Sequence, residues 1–356
     1  MPVDFVSIQD AVYAARRNLD QSAWDYLSGG SESETTLRRN RQGFDRLGLR
    51  HRVLIDVSHV DTTTTLLGYP MRIPVMLAPV GGLQRFTPEG SVASARAAKE
   101  FGALHTVSSA AEPGLEAVAE SCDYPKMFQL YIRGDWDWTA EMIGRIKKAG
   151  YVALCICVDN PVLSRRERVM IGRPQAARPA QAQRWGAMVT WDMLDRIKSA
   201  WGGPLMVKGI ATAEDASLAV QHGVEVIWVS NHGGRQLDYG QSTIEVLPEV
   251  VEAAGGKAEI VLDGGIQRST DIVKALALGA RAVAIGKVQG WALGAGGQEG
   301  MVRVFELLEE ELSIDMALLG VTSIGQLGPS YVCKSEPVTA PHEMSGWVNL
   351  QAGRLL

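Results

Sequence analysis

The chain is poor in the features that would mark a secreted, membrane-embedded or nucleic-acid-binding protein. It has four cysteines in 356 residues, Cys122, Cys155, Cys157 and Cys333, and no CxxC pair. That provides neither a disulfide framework nor the spacing of a metal-binding motif, so no metal site is expected. Cys155 and Cys157 lie inside an apolar run and read as structural thiols. No apolar stretch approaches the roughly 18 residues of a membrane span. Met1-Pro2-Val3-Asp4-Phe5 lacks the basic and apolar regions of a secretory signal, and a reduced, cytoplasmic setting is expected. A formal net charge of −5 makes no electrostatic case for nucleic acid or an anionic membrane as partner. A GxGxxG turn is missing too: Pro79-Val80-Gly81-Gly82 stands where an open dinucleotide-binding sheet would carry it, which disfavours an NAD-dependent dehydrogenase.

What is present is a repeating pattern. Hydrophobic residues make up 46% and charged residues 21%, as in ordinary globular proteins. From about residue 73 onward, continuous apolar runs alternate with amphipathic segments. The strand candidates are Ile73–Val80, Leu104–Ser109, Lys126–Tyr131, Ala153–Asp159, Pro204–Gly209, Val226–Asn231, Glu259–Gly265 and Ala282–Lys287. Runs of this kind, rather than alternating ones, suit strands covered on both faces. Helical patterns intervene at Ser91–Phe101, Thr139–Ala149, Thr212–His222, Thr243–Ala254 and Thr270–Leu278, several followed by a glycine. Eight such units predict an α/β fold, a closed (β/α)8 TIM barrel over residues 71–320. Residues 1–70, with Ser7–Tyr26 helical and Arg50–Thr65 extended, read as an N-terminal cap, and 321–356 as a C-terminal tail. With no low-complexity linker, the whole of 1–356 reads as one domain.

A barrel brings its strand ends to one mouth, and there the polar residues gather. Ser230-Asn231-His232-Gly233-Gly234-Arg235-Gln236-Leu237-Asp238 follows the apolar run Val226–Val229. It sets an imidazole suited to proton transfer and a guanidinium suited to gripping a carboxylate in one glycine-rich turn. Other strand ends carry Pro79-Val80-Gly81, Ser108, Gln129 and Tyr131, Asp159, Lys208, and Asp263-Gly264-Gly265. The loops after strands seven and eight commonly bind phosphate in this fold. Here they offer Gln267, Arg268, Gly286 and Lys287, and a helix opening near Ser269 would add its positive end. Lys208 is placed to balance negative charge on a cofactor ring, and Ser108 and Gln129 to hydrogen-bond a planar heterocycle.

These motifs resemble the FMN-dependent α-hydroxy acid oxidases and dehydrogenases, the family of glycolate oxidase, lactate oxidase, mandelate dehydrogenase and flavocytochrome b2. The likeness runs from about Asp25 to Leu319. It includes Tyr26-Leu27-Ser28-Gly29-Gly30, Thr87-Pro88-Glu89-Gly90, Phe128-Gln129-Leu130-Tyr131, Val158-Asp159 with Arg165-Arg166-Glu167, Val207-Lys208-Gly209, Ser230–Asp238 and Asp263-Gly264-Gly265. The resemblance implies FMN across the barrel mouth and oxidation of an L-2-hydroxy acid to a 2-oxo acid. It implies His232 as base, Asp159 as its supporting carboxylate, and Arg166, Arg235 and Tyr26 around the substrate carboxylate, with Tyr131 on the α-oxygen. It assigns cofactor contacts to Pro79, Val80, Gly81, Ser108, Gln129, Cys157, Lys208, Ser230, Asp263, Gly264, Gly265, Gln267, Arg268, Gly286 and Lys287. A homotetramer is implied by the same analogy.

The departures from the family pattern carry information of their own. Cys157 stands where threonine is common, and Gln267 and Lys287 where arginines usually grip the phosphate, so the bidentate hold there is reduced. Ala110 replaces an aromatic residue of glycolate oxidase, which implies room for a bulkier or aromatic substrate. Gly81 resembles monooxygenase and dehydrogenase members rather than oxidases, pointing to slow reaction of the reduced flavin with oxygen; the electrons are expected to pass to oxygen or another acceptor. From Met170 to about Val189 the loop is too short and polar for a membrane anchor, and a mobile loop beside the site is expected. The alternatives are an FMN barrel with non-oxidative chemistry, of the isopentenyl diphosphate isomerase type, and a flavin-binding protein with little turnover.

Overall fold

The computed structural model describes residues 3–171, 185–338, 340 and 342–347. Most of the loop expected between Met170 and Val189, and the end of the C-terminal tail, lie outside the described residues. Eight short strands form the barrel: β1 (Val75–Leu77), β2 (His105–Ser108), β3 (Lys126–Leu130), β4 (Ala153–Cys157), β5 (Leu205–Ile210), β6 (Val226–Val229), β7 (Glu259–Leu262) and β8 (Ala282–Ile285). All neighbours are parallel and the ring closes, with β8 pairing back onto β1. The open doubly wound sheet is thereby excluded, and each strand falls inside its expected run except β5, which extends one residue past Gly209 to Ile210. The hydrogen-bonded ladders stop short of the rim, so Asp159, Asn231 and Gly265 belong to loops rather than to strands.

Side chains alternate along a strand, which divides each one between an outer and an inner core. Outward residues such as Leu154, Ile156, Val207, Ile227 and Val229 pack under the surrounding helices. Inward residues, among them Met76, Met127, Cys155, Met206, Trp228 and Val261, fill the lower barrel. A hairpin made of Thr64–Leu66 and Tyr69–Met71 closes the floor, contributing Leu66 and Met71 to that inner core. Each of these large buried side chains stabilises the fold by about 1.5–3 kcal/mol relative to exposure. Continuing the alternation upward changes the chemistry: Met127 leads to Gln129 and Tyr131, Cys155 to Cys157 and Asp159, Met206 to Lys208, and Trp228 to Ser230 and His232. An apolar plug below and a polar mouth above thus come from one two-residue step.

The N-terminal segment expected as one helix is two, α1 (Ile8–Asn18) and α2 (Gln21–Ser28). Leu19 leaves helical space at ψ 139°, and the Asp20 carboxylate accepts from the Ala23 N–H at 2.7 Å, starting the second helix. This cap brings Tyr26 to the mouth. Next comes α3 (Thr35–Asp45), which buries Leu37, Asn40, Arg41 and Phe44 on one face. The segment expected to be extended, Arg50–Thr65, is mostly irregular, with the Thr64–Leu66 strand and an Asp61–Ser323 bridge. Around the barrel run α4 (Gly90–Phe101), α5 (Leu115–Ser121), α6 (Trp136–Lys148), the short α7 (Glu167–Ile171), α8 (Trp191–Trp201), α9 (Ala213–Gln221), α10 (Thr243–Ala254), α11 (Ser269–Ala277) and α12 (Lys287–Leu319). The last is interrupted at Gly296–Gly297. Beyond it, Val332–Lys334 pairs with Leu47–Leu49, and residues 342–347 return to the mouth, where Trp347 meets Trp291 edge-on at 5.6 Å. Among the described residues no helix is long and apolar enough to cross a membrane.

One outward-facing residue near the floor, buried under the surrounding helices, is ionisable. His105 is 1% exposed and neither ring nitrogen has a hydrogen-bond partner among the described residues. Burial, helped by Lys126, pushes its pKa down to about 3. The fold therefore holds the ring neutral, while the unfolded chain takes up a proton below about pH 6.5. Its contribution to stability is fully present above that pH and falls by about 1.4 kcal/mol per pH unit below it, until about pH 3. Thermal unfolding between pH 7 and pH 5 should accordingly show a shallower acid loss in His105→Leu than in the unaltered protein. Equal slopes would mean that the residue is not held neutral.

Candidate functional site

The turn after β6 is built by backbone constraint. His232 adopts φ 59°, followed by Gly233 at 65° and Gly234 at 74°. A Cβ on Gly234 would lie 2.6 Å from the backbone of Leu37, so α3 and the turn pack without a side chain between them. Asn231 and Asn40 exchange both side-chain hydrogen bonds, at 2.9 and 2.7 Å, and fix the turn against α3. The result points the imidazole inward.

The ring meets a carboxylate there. His232 Nδ1 lies 2.8 Å from Asp159 Oδ1, and both side chains are largely buried. Gly209, at φ 116°, makes room for that carboxylate, since a Cβ there would lie 2.7 Å from Asp159 Cβ. Burial opposes ionisation of Asp159, but His232 and Lys208 bring its pKa down to about 2. Burial dominates at His232 and lowers its pKa despite the neighbouring carboxylate. A carboxylate beside a neutral imidazole follows: Nδ1–H donates to Asp159, and Nε2 keeps its lone pair.

Beneath them lies a second charged group. Lys208 Nζ donates to Ser230 Oγ at 2.7 Å and pairs with Asp263 at 3.0 Å, while Ser230 Oγ donates to Asp263 at 2.7 Å and accepts from His232 N. Burial disfavours the ammonium, yet Asp263 and Asp159 hold its pKa above the ordinary lysine value. Lys208 thus stays charged inside the barrel.

Cationic groups sit on the rim. Arg235 is held by the carbonyls of Tyr26 and Gly29, and its guanidinium stacks 4.8 Å from the Tyr26 ring. Arg166 donates to the Arg235 carbonyl at 3.1 Å and to Gln236 Oε1 at 3.2 Å, placing two guanidinium groups on one side of the mouth. Tyr26 donates its hydroxyl proton to the Gly81 carbonyl at 2.9 Å. Tyr131 lines the same space, and burial raises its pKa well above the usual phenol value, so it is a proton donor.

These groups surround a cavity of about 470 Å³, within the range of small-molecule sites. Most expected site residues line it: Tyr26, Tyr131, Arg166, His232 and Arg235 at the mouth; Pro79, Val80, Gly81, Cys157 and Lys208 along one wall; Asp263, Gly264, Gly265, Gln267, Gly286 and Lys287 at the far end. Ser108, Gln129, Asp159 and Ser230 sit just behind the wall. Ser108 donates to Gln129 Oε1 at 2.9 Å, which leaves Gln129 Nε2 buried without a partner among the described residues.

The far end differs from expectation. Arg268 does not line the cavity; it turns outward to Glu311 and the Gly346 carbonyl. Nor is the start of α11 a free cluster of N–H groups, because Asp271 accepts from Gln267 N and Arg268 N, and Glu311 from Ser269 N. The Gln267 side chain is tied to the Glu343 carbonyl and to Gly346 N. Lys287 Nζ donates to the carbonyls of Leu27, Ser28 and Gly29 at 3.0–3.1 Å, and burial pushes its pKa well down.

Three residues escaped the sequence reading. Arg41, 3% exposed, lines the far end beside Gly265 and pairs with Asp271 at 2.7 Å, yet its Nε is buried without a partner among the described residues. Its signal was positional, a cation at i+4 from Leu37 on the apolar face of α3. Asn40 anchors the turn after β6. Glu343, a cavity residue from the tail, shares Arg168 with Glu34, and no local pattern announces it.

A flavin fits this donor set. The idle N–H groups of Gln129 and the Lys208 ammonium suit the carbonyl-rich edge of an isoalloxazine, and the Arg41 guanidinium at the far end suits a phosphate. Known proteins agree. A peroxisomal (S)-2-hydroxy-acid oxidase of Oryza sativa subsp. japonica is 40% identical over 351 residues, covering 92% of this chain and 95% of that protein. An L-lactate oxidase of Nostoc sp. is 40% identical over 347 residues, covering 89% and 95%. A mandelate oxidase crystal structure superposes with a TM-score of 0.86 at 36% identity, covering 94% of this chain and all of that one. The sequence pattern of the FMN-dependent dehydrogenases matches residues 15–334, and the chain belongs to that family, with FMN as its cofactor.

Proposed function

We propose that this FMN-dependent 2-hydroxy-acid oxidoreductase oxidises an L-2-hydroxy acid with His232 as the base. The observation that carries the proposal is the buried Asp159–His232 pair, 2.8 Å apart, facing two guanidinium groups across the cavity mouth. Arg166 and Arg235 hold the substrate carboxylate. The Tyr26 hydroxyl borders that carboxylate site, and Tyr131 hydrogen-bonds the α-oxygen. His232 Nε2 receives a substrate proton, and Asp159 stabilises the imidazolium that forms. Bound FMN accepts the two electrons removed from the substrate. For FMN itself, Gln129, Lys208 and Cys157 flank the ring end, and Arg41 and Lys287 take the phosphate end.

Family relatives named for mandelate and Ala110 on the cavity wall together support a bulky or aromatic substrate. Gly81 supports slow reaction of the reduced flavin with oxygen, the electrons passing to oxygen or another acceptor. A cytoplasmic location is supported by four unpaired cysteines. A single unit is supported by the apolar cluster that joins the N-terminal helices to the barrel. Homo-oligomerisation is supported by the exposed apolar residues Val53, Leu54 and Ile55, whose segment meets the end of α12 through the Arg52 N–H to Leu319 carbonyl bond.

Anaerobic mixing with a panel of 2-hydroxy acids, followed by flavin absorbance, tests the central reading. His232→Ala should retain flavin and slow its bleaching by about 10²–10⁴-fold; bleaching at the original rate would remove His232 from the role of base. Substrate size is tested separately. Ala110→Trp should raise KM for an aromatic acid about tenfold or more relative to glycolate, whereas an unchanged ratio would separate Ala110 from the substrate. At the phosphate end, Arg41→Gln should weaken FMN binding by about 10–100-fold, the value of a lost charge-assisted hydrogen bond, while leaving riboflavin binding unaltered. Equal losses for both flavins, read by fluorescence quenching, would show that Arg41 does not contact phosphate.

A further inference from the structure

Behind the imidazole, three potential ligand atoms of different kinds meet. Cys157 Sγ lies 3.1 Å from Asp159 Oδ1 and 3.7 Å from His232 Nδ1, and the last two are 2.8 Å apart. Around a tetrahedral zinc ion, with Zn–S near 2.3 Å and Zn–N or Zn–O near 2.0–2.1 Å, ligand atoms stand about 3.3–3.6 Å apart. Both sulfur edges already match to within about half an ångström, and the carboxylate–imidazole edge must open by a similar amount. Hydrogen bonding accounts for Asp159 Oδ1 alone. Its Oδ2 is buried and has no partner among the described residues, which leaves a carboxylate oxygen idle beside the thiol and the ring.

We propose that Cys157, Asp159 and His232 form a binding site for a divalent transition-metal cation, zinc above all, which locks the enzyme in an inactive state. The donor set of thiolate, imidazole and carboxylate is that of zinc rather than of magnesium or calcium. Cys157 and His232 line the cavity, which provides a route in and a fourth position for water. Two ligands are two residues apart at the end of β4, and the third is held by the strained turn after β6, so the set is largely preorganised. Lys208 opposes a cation here, but Asp263 at 3.0 Å offsets its charge.

Binding transfers no electrons. The Cys157 thiol gives up its proton to solvent as the metal–sulfur bond forms. The ring proton of His232 moves from Nδ1, now bound to metal, to Nε2. One proton is released per ion, and the nitrogen facing the cavity loses its lone pair. A substrate proton then has no acceptor, although the arginines still bind the substrate carboxylate. This inhibition rests on His232 being the base; the metal site does not.

The test uses the FMN-loaded protein, with Zn²⁺ for calorimetry and Co²⁺ for spectroscopy. One Zn²⁺ per chain should bind with release of one proton. Co²⁺ should give tetrahedral d–d bands at wavelengths beyond the flavin absorption, together with a thiolate charge-transfer band in the difference spectrum. Cys157→Thr should weaken Zn²⁺ binding about 100-fold and abolish the charge-transfer band. Binding unaffected by that substitution overturns the site. Should the variant lose flavin, the unaltered holoenzyme decides alone, since absence of the thiolate band overturns the proposal. Turnover at saturating Zn²⁺ should lose kcat with KM within about twofold. Full turnover with the thiolate band present would confirm the site and contradict His232 as base.

Discussion

A buried carboxylate against a buried imidazole is the interaction on which the rest of this structure depends. Asp159 has little access to water, and its negative charge is tolerable only because His232 and Lys208 lie close by. Lys208 in turn needs Asp263, and Ser230 links that pair to the backbone of the catalytic turn. Removing Lys208 or Asp263 would strand the other's charge in the barrel. The network has another consequence: it sets the imidazole tautomer, because a carboxylate on Nδ1 leaves Nε2 as the only lone pair facing the cavity. Fold stability and proton transfer are thus two results of the same contacts.

The barrel places this network by alternation. Each inward-pointing series passes from apolar to polar in two-residue steps, so the plug and the chemistry share strands. This explains why the barrel could be read from the sequence so directly. Runs such as Ala153–Asp159 and Val226–Asn231 are apolar because they are covered on both faces, and their polar ends mark the mouth. It also explains why strand ends were read too far. The alternation continues past the last ladder hydrogen bond, and sequence has no signal for where pairing stops. The N-terminal helix break shows the converse, since Asp20 is a legible cap that was hidden by amphipathic spacing continuing on both sides of it.

The phosphate end was the least legible part, for a physical reason. Arg268 lies next in sequence to Gln267, yet Glu311, 43 residues on, draws its side chain outward. Lys287 reaches the cavity but satisfies its protons on carbonyls at the end of α2. Arg41 comes from an N-terminal helix, and Glu343 from the tail. All of these placements depend on partners distant along the chain, which local pattern does not encode. The residues proposed for catalysis were easier to find because each stands at or just beyond the end of its own strand.

The account turns on which nitrogen of His232 carries the proton. Nitrogen-15 NMR of histidine-labelled protein near pH 7, with His232 assigned by comparison with His232→Ala, reads this directly. A neutral ring protonated at Nδ1 is the predicted result, leaving Nε2 with its lone pair toward the cavity. A ring protonated at Nε2, or an imidazolium at that pH, would contradict the arrangement of charge described for this site and the role of His232 as base.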